Sequence, residues 1–161
     1  PFDNLGFKLK NKFLFLNSIN NFDPSNPIIF VCKGNINRSI VSEMILAKYS
    51  NIAVDSCGYL CKPGRKISQN AEDFLALHGI DGSQHQSKFI KDDLINSTQV
   101  IVFERSHIRH VKNSLSNKKV FLLSKIAKNQ TFDIRDPEFE TPSEANKIFE
   151  EINNCLKSIY G

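Results

Sequence analysis

The segment formed by residues 28–39 constrains the fold more strongly than any other part of the chain. Its sequence, IIFVCKGNINRS, has five apolar residues followed by a short polar run. Beyond it, apolar residues from Ile40 to Ala47 recur at the spacing of one helix face. This pattern predicts a buried strand, a loop and a helix, with Cys32 at the carboxyl end of the strand. Ligands of open α/β sheets bind at that end, so the loop is the first candidate for a functional site.

The loop between the predicted strand and helix has the composition of an anion site. A loop that closes on a helix N-terminus presents unpaired backbone N–H groups and the positive end of the helix dipole. Gly34 allows close approach of the backbone to an anion, and Asn35 tolerates a left-handed conformation. Arg38 adds a planar fork of donors that suits two oxygens of a phosphate. The same field favours the thiolate of Cys32, so the segment predicts attack by sulfur on a bound phosphate ester.

Cys32 also has a purely structural interpretation, because free cysteine is often a small buried hydrophobe. The residues around it favour the chemical interpretation. The motif Cys-x5-Arg-Ser, which runs from Cys32 to Ser39 and contains Gly-Asn-Ile, resembles the active-site loop of the low-molecular-weight protein tyrosine phosphatases. The resemblance extends over about residues 28–160.

Three more apolar segments predict strands, and helical patterns lie between and after them. Strands are expected at about residues 52–58, 97–103 and 118–123, helices at about 39–49, 68–78 and 143–159, and a helical turn at 92–94. Strands that alternate with helices predict βαβ units and a parallel sheet covered on both faces. The resemblance implies an α/β three-layer sandwich, with a four-stranded parallel doubly wound sheet flanked by helices.

Length and composition agree with a single enzyme domain in a reducing compartment. The chain has 161 residues, a net charge of +4 and four cysteines. The cysteines form neither a disulfide scaffold nor paired metal-binding spacing, so reduced thiols in a cytoplasmic protein are expected. No apolar run approaches the ~20 residues of a membrane span. The five arginines are scattered along the chain, so we expect no nucleic-acid partner.

Residues 1–27 are expected to form an extension to a phosphatase domain at 28–161. Within residues 2–19, apolar side chains recur at roughly helical spacing with lysines between them, and residues 20–27 have the composition of a turn-rich linker. Two interpretations stay open. The extension is either a helix packed on the domain, or a basic amphipathic arm that contacts an anionic membrane surface or a partner protein.

The dipeptide Asp136-Pro137 is the second feature with chemical content. Asp-Pro is a common turn, and proline holds the preceding residue in an extended conformation. Its place after the fourth predicted strand and before the last helix resembles the Asp-Pro loop that carries the general acid of the phosphatase family. Cleavage of a phosphoester needs such a group, because the leaving oxygen must be protonated. Asp133 is the weaker candidate, since no proline follows it.

The resemblance also implies residues that bind substrate or support the loop. Loop N–H groups would hold the phosphate, a serine would donate to the thiolate, and an aromatic ring would contact the substrate. A second serine would hydrogen-bond the loop asparagine, and a histidine would support that asparagine from behind. The implied binding residues are Lys33, Gly34, Asn35, Ile36, Asn37, Ser39 and Phe139, and the implied supporting residues are Ser56 and His85.

The segment 59–66 is expected to form part of the rim of the cleft. Its cations, Lys62, Arg65 and Lys66, could meet an acidic substrate, although solvated surface charge is the commoner explanation.

Three positions depart from the family pattern. Asn37 stands where the family often has a second cysteine that can protect the nucleophile as a disulfide. Ile40 replaces a common proline. Glu138 stands where the family usually has an aromatic residue and adds a negative charge near an anionic ligand, while Phe139 can still stack on a ring. These departures bear on substrate range more than on chemistry.

The resemblance therefore implies hydrolysis of protein phosphotyrosine through a phosphocysteine, with Cys32, Arg38 and Asp136 as catalytic residues and no metal or cofactor. The partner would be a phosphotyrosine protein, and by analogy a bacterial tyrosine kinase is one candidate. Two alternatives are a non-catalytic phosphotyrosine-binding module and an arsenate reductase. Arsenate reduction needs further cysteines to relay a disulfide, and none lies between Cys61 and Cys155.

Overall fold

The computed structural model describes residues 21–91, 99–114, 118–127 and 133–161. These residues form four strands and five helices in the described part of the chain. In order they are β1 (Ile28–Cys32), α1 (Arg38–Tyr49), β2 (Val54–Gly58), α2 (Gln69–Leu77), β3 (Gln99–Val102), α3 (Arg105–Ser114), β4 (Lys119–Leu122), α4 (Leu123–Ile126) and α5 (Pro142–Tyr160).

The four strands form one sheet in the order β2-β1-β3-β4, and every pair is parallel. The central strand β1 is buried along its whole length, as expected for a strand covered on both faces. The order reverses direction beside β1, so the loop after this strand lies at the switch point of the sheet, where ligands of such folds bind. The predicted parallel doubly wound α/β fold is confirmed.

Side chains of β1 alternate between two apolar clusters. Ile28, Phe30 and Cys32 face the larger cluster, which packs against α1, α2 and α5. Ile29 and Val31 face the smaller cluster, which packs against α3. This alternation places the thiol of Cys32 on the face covered by α1, the helix that begins at the other end of the loop.

The helix beginnings differ in a way that bears on the site. The Ser68 hydroxyl caps α2 by accepting the Ala71 N–H at 3.2 Å. Thr141 caps α5 by accepting the Glu144 N–H at 3.3 Å. By contrast, α1 begins after Asn37 with no side-chain cap. Its first N–H groups are therefore open to a ligand at the loop.

The predicted strands and helices are confirmed to within a few residues, but α3 and the short helix α4 were not predicted. The apolar content of α3 in the sequence is small, with Ile108 and Val111 among charged and polar neighbours. The predicted turn at 92–94, the first two residues of the strand predicted at 97–103 and most of the N-terminal extension lie outside the described residues. Within the described helices, none is long and apolar enough to cross a membrane.

The end of the predicted linker packs on the sheet. The ring of Phe22 lies edge-on to that of Phe121, with centroids 5.1 Å apart. The backbone of Asp23 exchanges two hydrogen bonds with the Gln99 side chain, at 2.9 and 2.7 Å. The residues just before β1 are therefore attached to the domain at β3 and β4.

Replacing Phe149 with alanine should lower the free energy of unfolding by about 3–5 kcal/mol, because it leaves a cavity between α5 and α2. Phe149 is fully buried, and its ring lies 5.3 Å from that of Phe74. Urea denaturation measures the loss. The matched control is Leu77→Ala on α2, which is 78% exposed and should change stability by about 0.5 kcal/mol or less. Equal effects of the two substitutions would contradict this account of the core.

Candidate active site

The loop of residues 33–37 joins β1 to α1 and closes around the thiol of Cys32. Asn35 has a φ of 53°, which is the left-handed conformation expected from the sequence. The loop rests directly on β2, because Gly58 has no side chain. A Cβ at Gly58 would lie 2.8 Å from the carbonyl oxygen of Lys33 and 3.1 Å from the amide nitrogen of Asn35. The close approach of these two segments therefore requires glycine at this position.

Two groups that can donate a hydrogen bond surround the sulfur of Cys32. The Asn35 N–H donates to Sγ at 3.3 Å, and the hydroxyl oxygen of Ser39 lies 3.0 Å from the same atom. The residue is 3% exposed. The sulfur is thus held at the inner wall of the loop, where both donors can stabilise a negative charge.

Asn35 is held on its side chain and on its backbone. Its Nδ2 donates to Ser39 Oγ at 3.0 Å and to Ser56 Oγ at 2.7 Å, and its Oδ1 accepts the Lys88 N–H at 2.8 Å. The ring of His85 contacts the Asn35 carbonyl through Nε2 at 2.7 Å. The contacts of Ser56 and His85 with Asn35 that the resemblance implied are both present.

His85 acts on the loop as a hydrogen-bond donor. Burial lowers the pKa of its ring, although the hydrogen bond to the Asn35 carbonyl acts in the opposite direction. At neutral pH the ring is therefore uncharged, with the proton on Nε2 because a carbonyl can only accept. In this state the neutral ring of His85 fixes the loop through one hydrogen bond and adds no positive charge to the site.

Ser68, at the start of α2, braces the other end of the loop. Its N–H donates to the Ile36 carbonyl at 3.0 Å, and its hydroxyl donates to Oδ1 of Asn37. Asn37 is buried, so the residue that replaces the expected cysteine is used to tie the loop to α2.

Arg38 lies almost fully buried beneath the loop, at 1% exposure. Its Nη1 donates to a carboxylate oxygen of Glu104 and, at 2.8 Å, to the Ile134 carbonyl. Its Nη2 donates to Oδ2 of Asp136 at 2.7 Å. Its Nε has no hydrogen-bond partner among the described residues. The guanidinium is therefore held in position, and the edge that includes Nε has N–H groups that can donate to a ligand.

Glu104 lies in the site, although it was not among the predicted site residues. It follows the carboxyl end of β3, the strand next to β1, and its side chain reaches Arg38. The hydrogen bond from His107 and then that from Arg38 lower the pKa of Glu104 from an ordinary 4.5 to about 2, against the opposing effect of burial. The signal in the sequence was its position, since carboxyl ends of neighbouring parallel strands meet at one edge of a sheet.

The two candidate aspartates occupy different places. Asp136 contacts Arg38, while Asp133 makes a two-point ion pair with Arg105 at 2.8 and 3.1 Å on the surface. The Ile134 N–H, between them, donates to the Phe103 carbonyl at 2.8 Å and ties the Asp-Pro segment to the end of β3. The structure thus brings Asp136, and not Asp133, to Arg38 and the loop.

The remaining predicted residues lie at the outer edge of the site. Lys33 is exposed, and the ring of Phe139 is 95% exposed on the same turn as Asp136. Glu138 faces Arg65, with Oε1 3.9 Å from Nη2. Among the described residues, no group of three histidine, cysteine or acidic side chains is placed to hold a metal ion.

Comparisons with known proteins agree with this geometry. The sequence model of the family described as low molecular weight phosphotyrosine protein phosphatase matches residues 27–160. A probable low molecular weight protein-tyrosine-phosphatase, EpsP of Ralstonia solanacearum, is 27% identical over 111 residues, which cover 68% of this chain and 77% of that protein. The residues that the family model matches therefore include both the loop at 33–37 and the Asp-Pro segment.

Two solved structures share the fold. The low molecular weight protein tyrosine phosphatase from T. tengcongensis superposes with a TM-score of 0.76 at 26% identity, covering 84% of this chain and 97% of that one. The YwlE arginine phosphatase from Geobacillus stearothermophilus gives 0.77 at 24% identity, covering 84% and 90%. The second likeness concerns the fold alone.

Replacing Glu104 with glutamine should lower the free energy of unfolding at neutral pH by up to about 3 kcal/mol, because a carboxylate with a depressed pKa stabilises the folded state. This contribution is present above pH 4.5 and is lost as the pH falls towards about 2. Urea denaturation of wild type and variant across that range measures it.

The matched control for this prediction is Glu72→Gln, whose carboxylate forms no ion pair within the described residues. A stability difference between wild type and Glu104→Gln that is the same at pH 2.5 and pH 6 would contradict the role given to the Arg38–Glu104 pair.

Proposed function

Because the chain belongs to the low-molecular-weight phosphotyrosine protein phosphatase family, we propose that it hydrolyses phosphotyrosine in proteins through a phosphocysteine at Cys32. The observation that supports this most is the convergence of three groups at one end of the sheet. The sulfur of Cys32 lies inside the loop, Arg38 has an Nε that lacks a partner within the described part of the chain, and Asp136 lies beside the guanidinium.

Arg38 and the loop would bind the phosphate. Among the residues that the structure describes, the N–H of Nε has no hydrogen-bond partner, and the two N–H groups of Nη2 have one contact, to Asp136. Nε and Nη2 lie on one edge of the planar guanidinium, so they suit two phosphate oxygens. The uncapped start of α1 adds backbone N–H groups for the third oxygen.

The first step would transfer the phosphoryl group to sulfur. The thiolate of Cys32 attacks phosphorus in line, the S–P bond forms, and the bond from phosphorus to the tyrosine oxygen breaks. Asp136 gives its proton to that oxygen, so tyrosine leaves as the neutral phenol. The guanidinium and N–H groups stabilise the charge on the three equatorial oxygens.

The second step would release phosphate. Asp136, now a carboxylate, removes a proton from water, the water oxygen attacks phosphorus, and the S–P bond breaks. The sulfur leaves as a thiolate, and donation from the Ser39 hydroxyl and the Asn35 N–H stabilises it. Protons and electron pairs balance over the two steps without a cofactor.

The substrate would be a phosphotyrosine protein, as the names of EpsP and the T. tengcongensis protein indicate for those relatives. A tyrosine kinase of the same cell is the candidate partner. The exposed ring of Phe139 supports an aromatic substrate, since it is free to stack on a phenol. Phosphoarginine, the substrate named for YwlE, is the comparison to run beside it.

The catalytic unit would span residues 28–161, with residues 1–27 as an extension. The start of β1 at Ile28 and the family match from residue 27 support this division. The packing of Phe22 on Phe121 attaches the last residues of the extension to the domain.

Replacing Cys32 with serine should lower turnover of p-nitrophenyl phosphate by about 10⁴-fold or more, because the serine hydroxyl has no adjacent base to activate it. Release of nitrophenol in the presence of a chelator measures the rate. Cys57→Ala is the control, since Cys57 is buried in the cluster on the opposite face of the sheet. Substantial activity in Cys32→Ser would refute the covalent mechanism. If wild type bound phosphotyrosine tightly without turnover, the result would instead favour a binding module.

Replacing Asp136 with asparagine should slow hydrolysis by about 10²–10⁴-fold for phenyl phosphate and less for p-nitrophenyl phosphate, because a poor leaving group depends more on the general acid. The dependence of kcat/KM on the pKa of the leaving phenol measures the effect. Asp133→Asn removes the other candidate carboxylate and should keep the wild-type dependence. If Asp133→Asn produced the steeper dependence, the assignment of the acid would be wrong.

A further inference from the structure

The segment 59–66, called the rim loop here, is fixed to the phosphate-binding loop. The Tyr59 N–H donates to the Cys32 carbonyl at 3.1 Å, and the Leu60 N–H donates to the Lys33 carbonyl at 3.0 Å. The other end of the rim loop is tied to Ser87, which is 2% exposed. Ser87 exchanges hydrogen bonds with the backbone of Arg65 at 2.8 and 2.9 Å. The rim loop is therefore fixed by hydrogen bonds at both ends and forms one wall of the site.

The side chain of Arg65 extends from this wall across the mouth of the site. Its Nη1 lies 3.9 Å from the position that a Cβ on Gly34 would occupy, and Nη2 lies 3.9 Å from Oε1 of Glu138. Gly34 belongs to the phosphate-binding loop, and Glu138 lies two residues after Asp136. A half-exposed guanidinium thus stands between the two segments that would hold the phosphate and the general acid.

The surroundings of Arg65 carry an excess of positive charge. Lys33, Lys62 and Lys66 are exposed and form no ion pair within the described residues. Glu138 is the acid that faces Arg65, and an exposed pair at this distance contributes about 1 kcal/mol or less. The contact is therefore weak enough for a substrate carboxylate to replace it, and the lysines would raise the local concentration of such a group.

We propose that Arg65 selects substrates by binding an acidic side chain next to the phosphotyrosine, with Glu138 as its partner while the site is empty. This inference rests on the proposed function and deepens it. It also assigns a role to Glu138, the acidic residue at a position where the family usually has an aromatic one. Its carboxylate holds the Arg65 side chain over the mouth of the site. An approaching peptide carboxylate displaces Glu138, and the phosphate enters the loop beside it.

The test compares two phosphotyrosine peptides that differ at the residues flanking the phosphotyrosine, Asp and Glu in one and Asn and Gln in the other. Two ratios of acidic to neutral peptide are measured. One is the ratio of kcat/KM in the catalytic protein, and the other is the ratio of the association constant, 1/Kd, measured by fluorescence anisotropy in the Cys32→Ser background. The binding ratio does not require turnover, so it tests Arg65 even if the proposed chemistry fails. Within each variant, effects common to both peptides cancel.

Wild type should favour the acidic peptide by about two- to fivefold, the size expected from an exposed charge pair. Arg65→Gln should bring both ratios close to one, Arg65→Glu should reverse them, and Glu138→Gln should raise them. Because the contacts are exposed, the wild-type ratios should shrink as the salt concentration rises.

The control is Lys157→Gln, which removes one positive charge from the last turn of α5. Fifteen residues separate it from the first residue of α5, which is about 22 Å along a helix. It should keep the wild-type ratios. Equal ratios in wild type and Arg65→Gln would overturn the inference. Equal weakening of both peptides and of inorganic phosphate by Arg65→Gln would also overturn it, because Arg65 would then bind the phosphate itself.

Discussion

The conformation of Asn35 is the constraint on which the site depends. A non-glycine residue in the left-handed region costs about 1–2 kcal/mol, and this cost must be offset by its surroundings. The offset comes from the hydrogen bonds of its amide to Ser39, Ser56 and Lys88, together with the contact of its carbonyl with His85. With Asn35 held in this way, its own N–H is aimed at the sulfur of Cys32. The loop therefore has the conformation that we propose for anion binding before any anion is present.

The second constraint is the buried charge of Arg38. A guanidinium at 1% exposure would be costly alone, and the carboxylates of Glu104 and Asp136 compensate it. The two acids would serve different ends. Glu104 also contacts His107 and would stay with the arginine, whereas Asp136 would protonate the leaving group. Arg38 therefore links the segment after β3, the Asp-Pro segment and the loop of residues 33–37 in one set of contacts.

Much of this arrangement could be predicted from the sequence, and the reasons are local. The strand, loop and helix were predictable because each has a local signal in the sequence. These signals are the apolar run before Cys32, the Gly-Asn pair and the helical spacing after Ser39. The partners of Asn35 were predictable only through the family resemblance. The long-range contact of Glu104 with Arg38 was not predicted, because the sequence does not give the position of one side chain relative to another so far along the chain. Helix α3 was missed since its two apolar residues carry too weak a pattern, and only the folded chain shows that Arg65 reaches Glu138.

The central claim is that phosphate passes through a covalent bond to Cys32, and rapid acid quenching of Asp136→Asn with p-nitrophenyl phosphate tests it most directly. Nitrophenol leaves with little help from an acid, while hydrolysis of the intermediate still lacks its base, so the phosphoenzyme should accumulate. Mass spectrometry of the quenched protein and its peptides should then find phosphate on Cys32 in a large fraction of the molecules. Continued release of nitrophenol with no phosphate on Cys32, or with phosphate on another residue, would contradict the account.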